Sequence, residues 1–355
     1  MAAKITHVEV FRQSLYLLEH GTDRQQQIAR FLRDPVVDSY SHLGAVGPDI
    51  FYFYHVLSRK KNALGMRWGN LSHHSRVTDL VLSFLDEVKS LPEGDRKKKL
   101  TAFTYGYLSH CAVDIVTHPY IFYITGNYYS KDAKEAAQAQ ANHLRVEYAL
   151  DAYLLQHRWG MSPNRYNFIQ FVDCTEIQKG KKILDYDIWS FWTRSLNKVF
   201  HEEFENEYYG SSETIFSGDI LNEAYLGFLR FNRLLDTRFR SVRVFLRAVD
   251  YATFHRLQAR SLILPPRENI NPRFLNEEKA IWKYPADPKI TSNESFMDLV
   301  HRAARASAAV LTEAAEYLDG SRKRKDFEKN YSGYNLDTGI RSDSIEMVEF
   351  QPVLD

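Results

Sequence analysis

The stretch GYLSHCAVDIVTHPY, residues 106–120, places His110, Asp114 and His118 at intervals of four. On an α-helix each such step advances roughly 40° around the axis, so the three side chains share one stripe. Imidazole and carboxylate are donors that suit zinc. Pro119 disfavours helical geometry at the residue before it, so the spacing predicts a helix that ends at His118. The side chain there is then free to turn toward a different site from the other two. A second pair, His143 and Glu147 in ANHLRVEYAL, repeats the four-residue interval on one face of another helix. Either motif alone reads as an ordinary hydrogen-bonded couple or surface charge. Both together, with the first extended to His-x-x-x-Asp-x-x-x-His, read as metal ligands.

Other pieces divide between a bland and a chemical reading. GAVGPD, residues 44–49, is a turn that ends on Asp49, an N-cap for the apolar run IFYFYHVL or a ligand. His73 and His74 in LSHHSR are solvated imidazoles beside a helix start, or one of them is a ligand. His7 alone says little. Ten of the 13 histidines precede residue 160, which concentrates the chemistry in the first half.

The elements that must position these groups are helices. THVEVFRQSLYLLEHG carries an apolar stripe through Val8, Phe11, Leu15 and Leu18, with Thr6 and Glu9 spaced as a capping box and Gly21 suited to the C-cap. A shorter helix, RQQQIARFLRD, precedes Pro35. SRVTDLVLSFLDEVKSL and KKLTAFTYGYLSHCAVDIVTH follow, separated by a PEGD turn, and KDAKEAAQAQANHLRVEYALDAYLLQHRWG ends at Gly160. Later helices are read in DIWSFWTRSLNKVFHEEF, GDILNEAYLGFLRFNRLLDTRFRSVRVFLRAV and ESFMDLVHRAARASAAVLTEAAEYLDG, with a long irregular connection before the last. There is no internal repeat and no clear strand alternation. The class is all-α, with one helical domain over residues 1–320 and a polar, loosely attached tail over 321–355.

Composition narrows the function. Hydrophobic content of 44% with 26% charged residues is globular. The 46 basic and 45 acidic residues nearly cancel, so no bulk charge draws the chain to nucleic acid or an anionic membrane. Two cysteines, Cys111 and Cys174, make no disulfide framework. The N-terminal residues lack the apolar run of a signal peptide, and no window approaches the ~18–20 apolar residues of a membrane span. The expectation is a cytoplasmic protein.

In order along the chain, His7 in ITHVEV, Asp49 in LGAVGPDI, His73 in LSHHSR, LSHCAVDIVTHP and NHLRVE resemble the zinc-dependent phospholipase C family, over roughly residues 5–150. No single motif is specific; the ordered set is. The resemblance implies a multi-helix fold holding two or three Zn2+ ions. One zinc would take Asp49, His73, His110 and Asp114. Asp114 would bridge to a second, held also by His7, and the third would take His118, His143 and Glu147. His74 is the fallback for His73, and Asp151 is read as a supporting or solvated carboxylate. Secreted members of the family use the amine and carbonyl of an N-terminal tryptophan as ligands. This chain opens MAAK, so excision of Met1 would offer the amine of Ala2 instead, five residues before His7.

The implied reaction is phosphoester hydrolysis. Zinc lowers the pKa of a coordinated water from ~15.7 to ~7, and paired zincs clamp phosphate oxygens. Asp49 is the candidate catalytic residue, orienting or deprotonating the attacking water. The leading reading is a phosphodiesterase on a phospholipid-like substrate, with transient contact to a membrane surface. A related three-zinc single-strand nuclease would act on nucleic acid, but such enzymes typically close the motif with His-x-x-x-Asp where this chain has Glu147. A purely structural zinc module is disfavoured because the set has no thiolate. In DIFYFYH, Tyr52 or Tyr54 could line a headgroup pocket through cation–π attraction, against a core reading for Phe51 and Phe53.

Overall fold

The computed structural model describes residues 4–354, apart from 163–164, 209–213, 217, 235 and 254–258. Its organising element is a helix of 31 residues, Asp95–Thr125. From Leu100 onward nearly every residue of that helix is buried, on all faces. A helix apolar all round must lie inside the protein, and the other elements are packed around it.

Before it come α1 (Lys4–Glu19), α2 (Asp23–Leu32), α3 (Asp38–Val46), a 3-10 segment (Gly47–Phe53), α4 (Arg59–His74) and α5 (Val77–Ser90). The long helix is α6, followed by α7 (Ala133–His157) and the single turn α8 (Ile169–Val172). Strands β1 (Thr175–Gln178) and β2 (Lys181–Leu184) form an antiparallel hairpin, with Thr175 opposite Leu184. Next are α9 (Tyr186–Val199), α10 (His201–Glu203), α11 (Ile220–Leu234) and α12 (Arg240–Ala252). A second hairpin, β3 (Trp282–Tyr284) and β4 (Asp287–Ser292), precedes α13 (Phe296–Leu318) and α14 (Arg324–Tyr331). The class is all-α. The two short hairpins are additions that strand alternation in the sequence did not announce.

Helices α1, α3, α5, α7, α9 and α13 all pack on α6. Helices α3 and α6 approach closely, because Gly44 and Gly106 face each other between them. A Cβ on Gly44 would lie 2.1 Å from the Phe103 carbonyl oxygen, and one on Gly106 would lie 2.0 Å from that of Ser41. Backbone meets backbone there, which brings the turn after α3 onto the histidine stripe of α6.

Several expectations are corrected. Thr6 is not an N-cap: α1 starts at Lys4, and Glu9 accepts from Arg158 and Trp159 instead. Capping boxes are found instead at Thr22 and Gln25, opening α2, and at Ser295 and Asp298, opening α13. Pro119 does not end α6, which continues six residues beyond it to Thr125. His73 and His74 close α4 rather than open a helix. The long segment read as one helix is two, α11 and α12.

The polar stretch after residue 320 is not loose. Phe327 of α14 is fully buried. The backbone N–H groups of Gln351 and Val353 donate to the Tyr123 and Ile124 carbonyls at 2.8 and 3.0 Å. Those carbonyls belong to the last turn of α6, which has no helical donors of its own. The final residues therefore cap the central helix. No helix among the described residues is long and apolar enough to cross a membrane.

Candidate metal centre

Five elements deliver the side chains. Asp151 of α7 accepts from the N–H groups of Ile5 and Thr6 at 3.1 and 2.9 Å and from the Thr6 hydroxyl at 2.9 Å. It thus holds the unpaired donors of the first turn of α1, one residue before His7. Asp151 is buried, so of its two expected readings support fits and solvation does not. At the end of α3, Gly47 takes a left-handed φ of +55°, and a Cβ there would lie 2.9 Å from the His110 ring. Only glycine suits that turn. It swings Pro48 and Asp49 over α6. Asp49 sits within the 3-10 segment and caps nothing. His73 ends α4, His110, Asp114 and His118 lie along α6, and His143 and Glu147 lie on α7.

These eight residues converge in three groups whose donor atoms lie within 4.8 Å of one another: His7, His110 and Asp114; Asp49, His73 and His110; His118, His143 and Glu147. Asp114 lies between them. Its Oδ2 stands 2.9 Å from His110 Nε2 and 3.6 Å from His73 Nε2. Its Oδ1 stands 3.3 Å from His7 Nε2 and 3.4 Å from His118 Nε2. Asp49 Oδ1 is 3.2 Å from His73 Nε2, and Glu147 Oε1 is 3.2 Å from His143 Nε2. The His7 and His110 rings stack, with centroids 4.4 Å apart. The resemblance did not pair His7 with His110. The amine of Ala2 lies outside the described residues.

Zinc fits this donor set. His73 Nδ1 donates to the Gly69 carbonyl at 2.7 Å and His110 Nδ1 to that of Ala45 at 3.2 Å. A carbonyl only accepts, so Nδ1 carries a proton in each ring and Nε2 is the atom turned inward. Those two Nε2 atoms face each other at 3.4 Å, beside two carboxylates. Lone pairs so arranged repel unless a cation or a proton lies among them. Meanwhile His7 Nδ1, Asp49 Oδ2, both Asp114 oxygens, His143 Nδ1 and Glu147 Oε2 are buried without a hydrogen-bond partner. Leaving one such group unsatisfied typically costs ~1–3 kcal/mol, more for a charged one. The four carboxylate oxygens among them, clustered at the histidine Nε2 atoms, are explained together by cations. The free cysteines, Cys111 and Cys174, join none of the groups.

The electrostatics agree. Burial opposes charge on Asp49, but the His110 and His73 imidazoles hold its carboxyl below the usual range. Asp114 is likewise buried, and His110, His118 and His7 hold it far below that range. Both carboxylates are ionised at neutral pH. His7 is pushed down to about 4 by burial, with the neighbouring His110 adding to it, so its ring is neutral. In His118 burial is overcome by the Asp114 and Asp337 carboxylates, which push it up to about 10.

His74 and Asp337 border the centre. His74 does not point inward with His73; its Nε2 is 2.7 Å from Asp337 Oδ2. Asp337 also receives the Tyr129 hydroxyl and approaches His118 Nδ1 at 3.2 Å. Sequence reasoning missed Asp337, because nothing in YNLDTG marks it. The Tyr52 ring lies 5.8 Å from the His73 ring, while Tyr54 packs edge-on against His55 at 4.5 Å. Phe51 and Phe53 are core.

The family model described as zinc dependent phospholipase C matches residues 6–210, more than half of the chain. The chain belongs to the zinc-dependent phospholipase C family. No curated protein and no solved structure matches it.

Proposed function

We propose that this protein is a zinc-dependent phosphodiesterase of the phospholipase C type, acting on a phospholipid-like headgroup. The observation that carries the reading is the set of orphaned buried carboxylate oxygens of Asp49, Asp114 and Glu147 beside the inward imidazoles. Asp49, His73, His110 and Asp114, then Asp114 with His7, then His118, His143 and Glu147, are the residues that would hold two or three ions. Zinc held there would supply Lewis acidity and a water acidified to a pKa near ~7.

Within that reading, Asp49 is the general base. Its Oδ1 is engaged by His73, while Oδ2 is buried and unpartnered. One oxygen can therefore be held in place while the other takes a proton from a water. Tyr52 supports the headgroup assignment, since its partly exposed ring borders His73 and a phenol face attracts quaternary ammonium.

A second reading, a closed structural centre, is favoured by one observation. None of the eight residues exceeds 8% exposure. The cavity beside His7, Asp114, His118 and Glu147 is about 10 Å³. A phosphodiester needs more room than that, so the hydrolase reading requires the side chains at the rim to move. The test is a substrate panel: a generic phosphodiester, short-chain phosphatidylcholine and single-stranded DNA. Zinc-dependent release of phosphorylated headgroup supports the proposal. Cleavage of DNA alone would move the protein to the nuclease reading. No turnover of any of the three by fully zinc-loaded protein would leave the structural centre.

A further inference from the structure

The segment 335–338 is buried although it lies far outside the stretch matched to the family. Its docking is specific. The Leu336 N–H donates to the His73 carbonyl at 2.9 Å. The Asn335 side chain accepts from the N–H groups of Asp337 and Thr338 at 2.9 and 3.2 Å, which closes a tight turn. Gly339, at φ +66°, lies against α6 where a Cβ would come 2.4 Å from Pro119 Cγ and 2.5 Å from the Ile115 carbonyl oxygen. Proline has no N–H to give that carbonyl, so Pro119 leaves a notch in the helix at the residue after His118. The C-terminal turn fills the notch.

We propose that this turn is a working part of the metal centre and that Asp337 is the positioning residue for His118. The inference rests on the reading of His118 as a zinc ligand. His118 Nδ1 stands 3.2 Å from the Leu336 carbonyl oxygen and 3.2 Å from Asp337 Oδ1. Both only accept, so the Nδ1 proton is fixed and Nε2 is the atom turned toward Asp114, where a bound cation would take the place of its proton. A carboxylate behind a ligating imidazole sets its tautomer, aims the ring and strengthens it as a donor. The carboxylate is in turn fixed by His74 and by the Tyr129 hydroxyl. His74 thereby acquires a role: it braces the group that braces His118. The stretch matched to the family contains the ligands, but one of them is oriented by a residue near the other end of the chain.

The test is zinc affinity, read by competition with a chromophoric chelator on the full chain. Asp337→Asn and Asp337→Ala are compared with wild type and with Asp343→Asn, an exposed control for lost charge in the same segment. Loss of such a partner typically weakens metal binding ~10–100-fold. The expected result is that loss at one zinc, the one Glu147→Ala abolishes, with the others and the Asp343→Asn control unchanged. The melting temperature of the metal-free protein should change less than that of the loaded protein. Wild-type affinity at every zinc in both Asp337 variants overturns the proposal. So does equal destabilisation of the metal-free and loaded forms with unchanged affinity, which would mark mere packing. If both variants fail to fold, Tyr129→Phe removes one donor to Asp337 and should weaken the same zinc by a smaller factor; no change there overturns the proposal too. A wild-type chain that retains no zinc overturns the metal reading itself, and this inference with it.

Discussion

The histidines of α4 and α6 are braced from behind, whereas those of α1 and α7 are not. His73, His110 and His118 each have a backbone carbonyl at Nδ1. His7 and His143 have no partner at that atom, although both are buried. The two sets meet at the same carboxylates, so their difference isolates what orientation adds to ligation. Where α6 passes close to α3 and to the C-terminal turn, neighbouring carbonyls fix the rings. Where α1 and α7 approach from outside, the ring depends on the ion itself to choose its tautomer. A centre built this way should be uneven, with a rigid inner group and softer outer ones.

The largest effect should come from removing what both sets share. Asp114 faces His7, His73, His110 and His118. Asp114→Ala should release zinc from the two groups around it together, by elemental analysis. Breaking a buried ion pair costs about 3–5 kcal/mol, and a loss of that order is expected in urea unfolding. Next is catalysis. Asp49→Asn keeps an oxygen ligand but cannot accept a proton, so turnover of phosphodiester should fall ~10²–10⁴-fold while most zinc stays bound. Full zinc with near-native turnover would refute the base role.

A finer test addresses the comparison itself. In stepwise chelation, the group of Asp49, His73 and His110 should give up its ion last. Outer groups should bind ~10–100-fold more weakly, in line with the value of a fixed ring partner. If His7→Ala and His110→Ala cost the same affinity, bracing adds nothing. The smallest effect concerns Asp151, which holds the first turn of α1. Asp151→Ala should cost about 1 kcal/mol, the usual value of an N-terminal cap, and lower zinc occupancy only in the His7 group.

Much of the clustering was legible because the side chains that gather come in local intervals. Four-residue spacing on a helix survives any tertiary context, so His110, Asp114, His143 and Glu147 could be placed from the sequence. The helical class was legible for the same reason. What failed was everything decided by tertiary packing. The helix stop read at Pro119 is absent: α6 runs on to Thr125, with the C-terminal turn lying against it at Ile115 and Pro119. The cap read at Thr6 is absent because a carboxylate from α7 does that work from 145 residues away. Helix α4 went unmarked because Gly65 and Gly69 break its apolar pattern, yet they let the helix press onto the 3-10 segment. Asp337 meets His74 across 263 residues, and no spacing encodes that distance. Its segment looked like a polar tail because a docking turn needs only a few buried residues.

The central claim is that eight side chains from five elements form one multi-ion zinc centre, and elemental analysis of the purified, unchelated chain tests it most directly. The account predicts that at least two of the three groups are filled with zinc. Chelation should then lower the melting temperature, because an ion bound only by the native state stabilises it by mass action. A chain that carries no metal, or a single ion held at cysteine, would contradict the account.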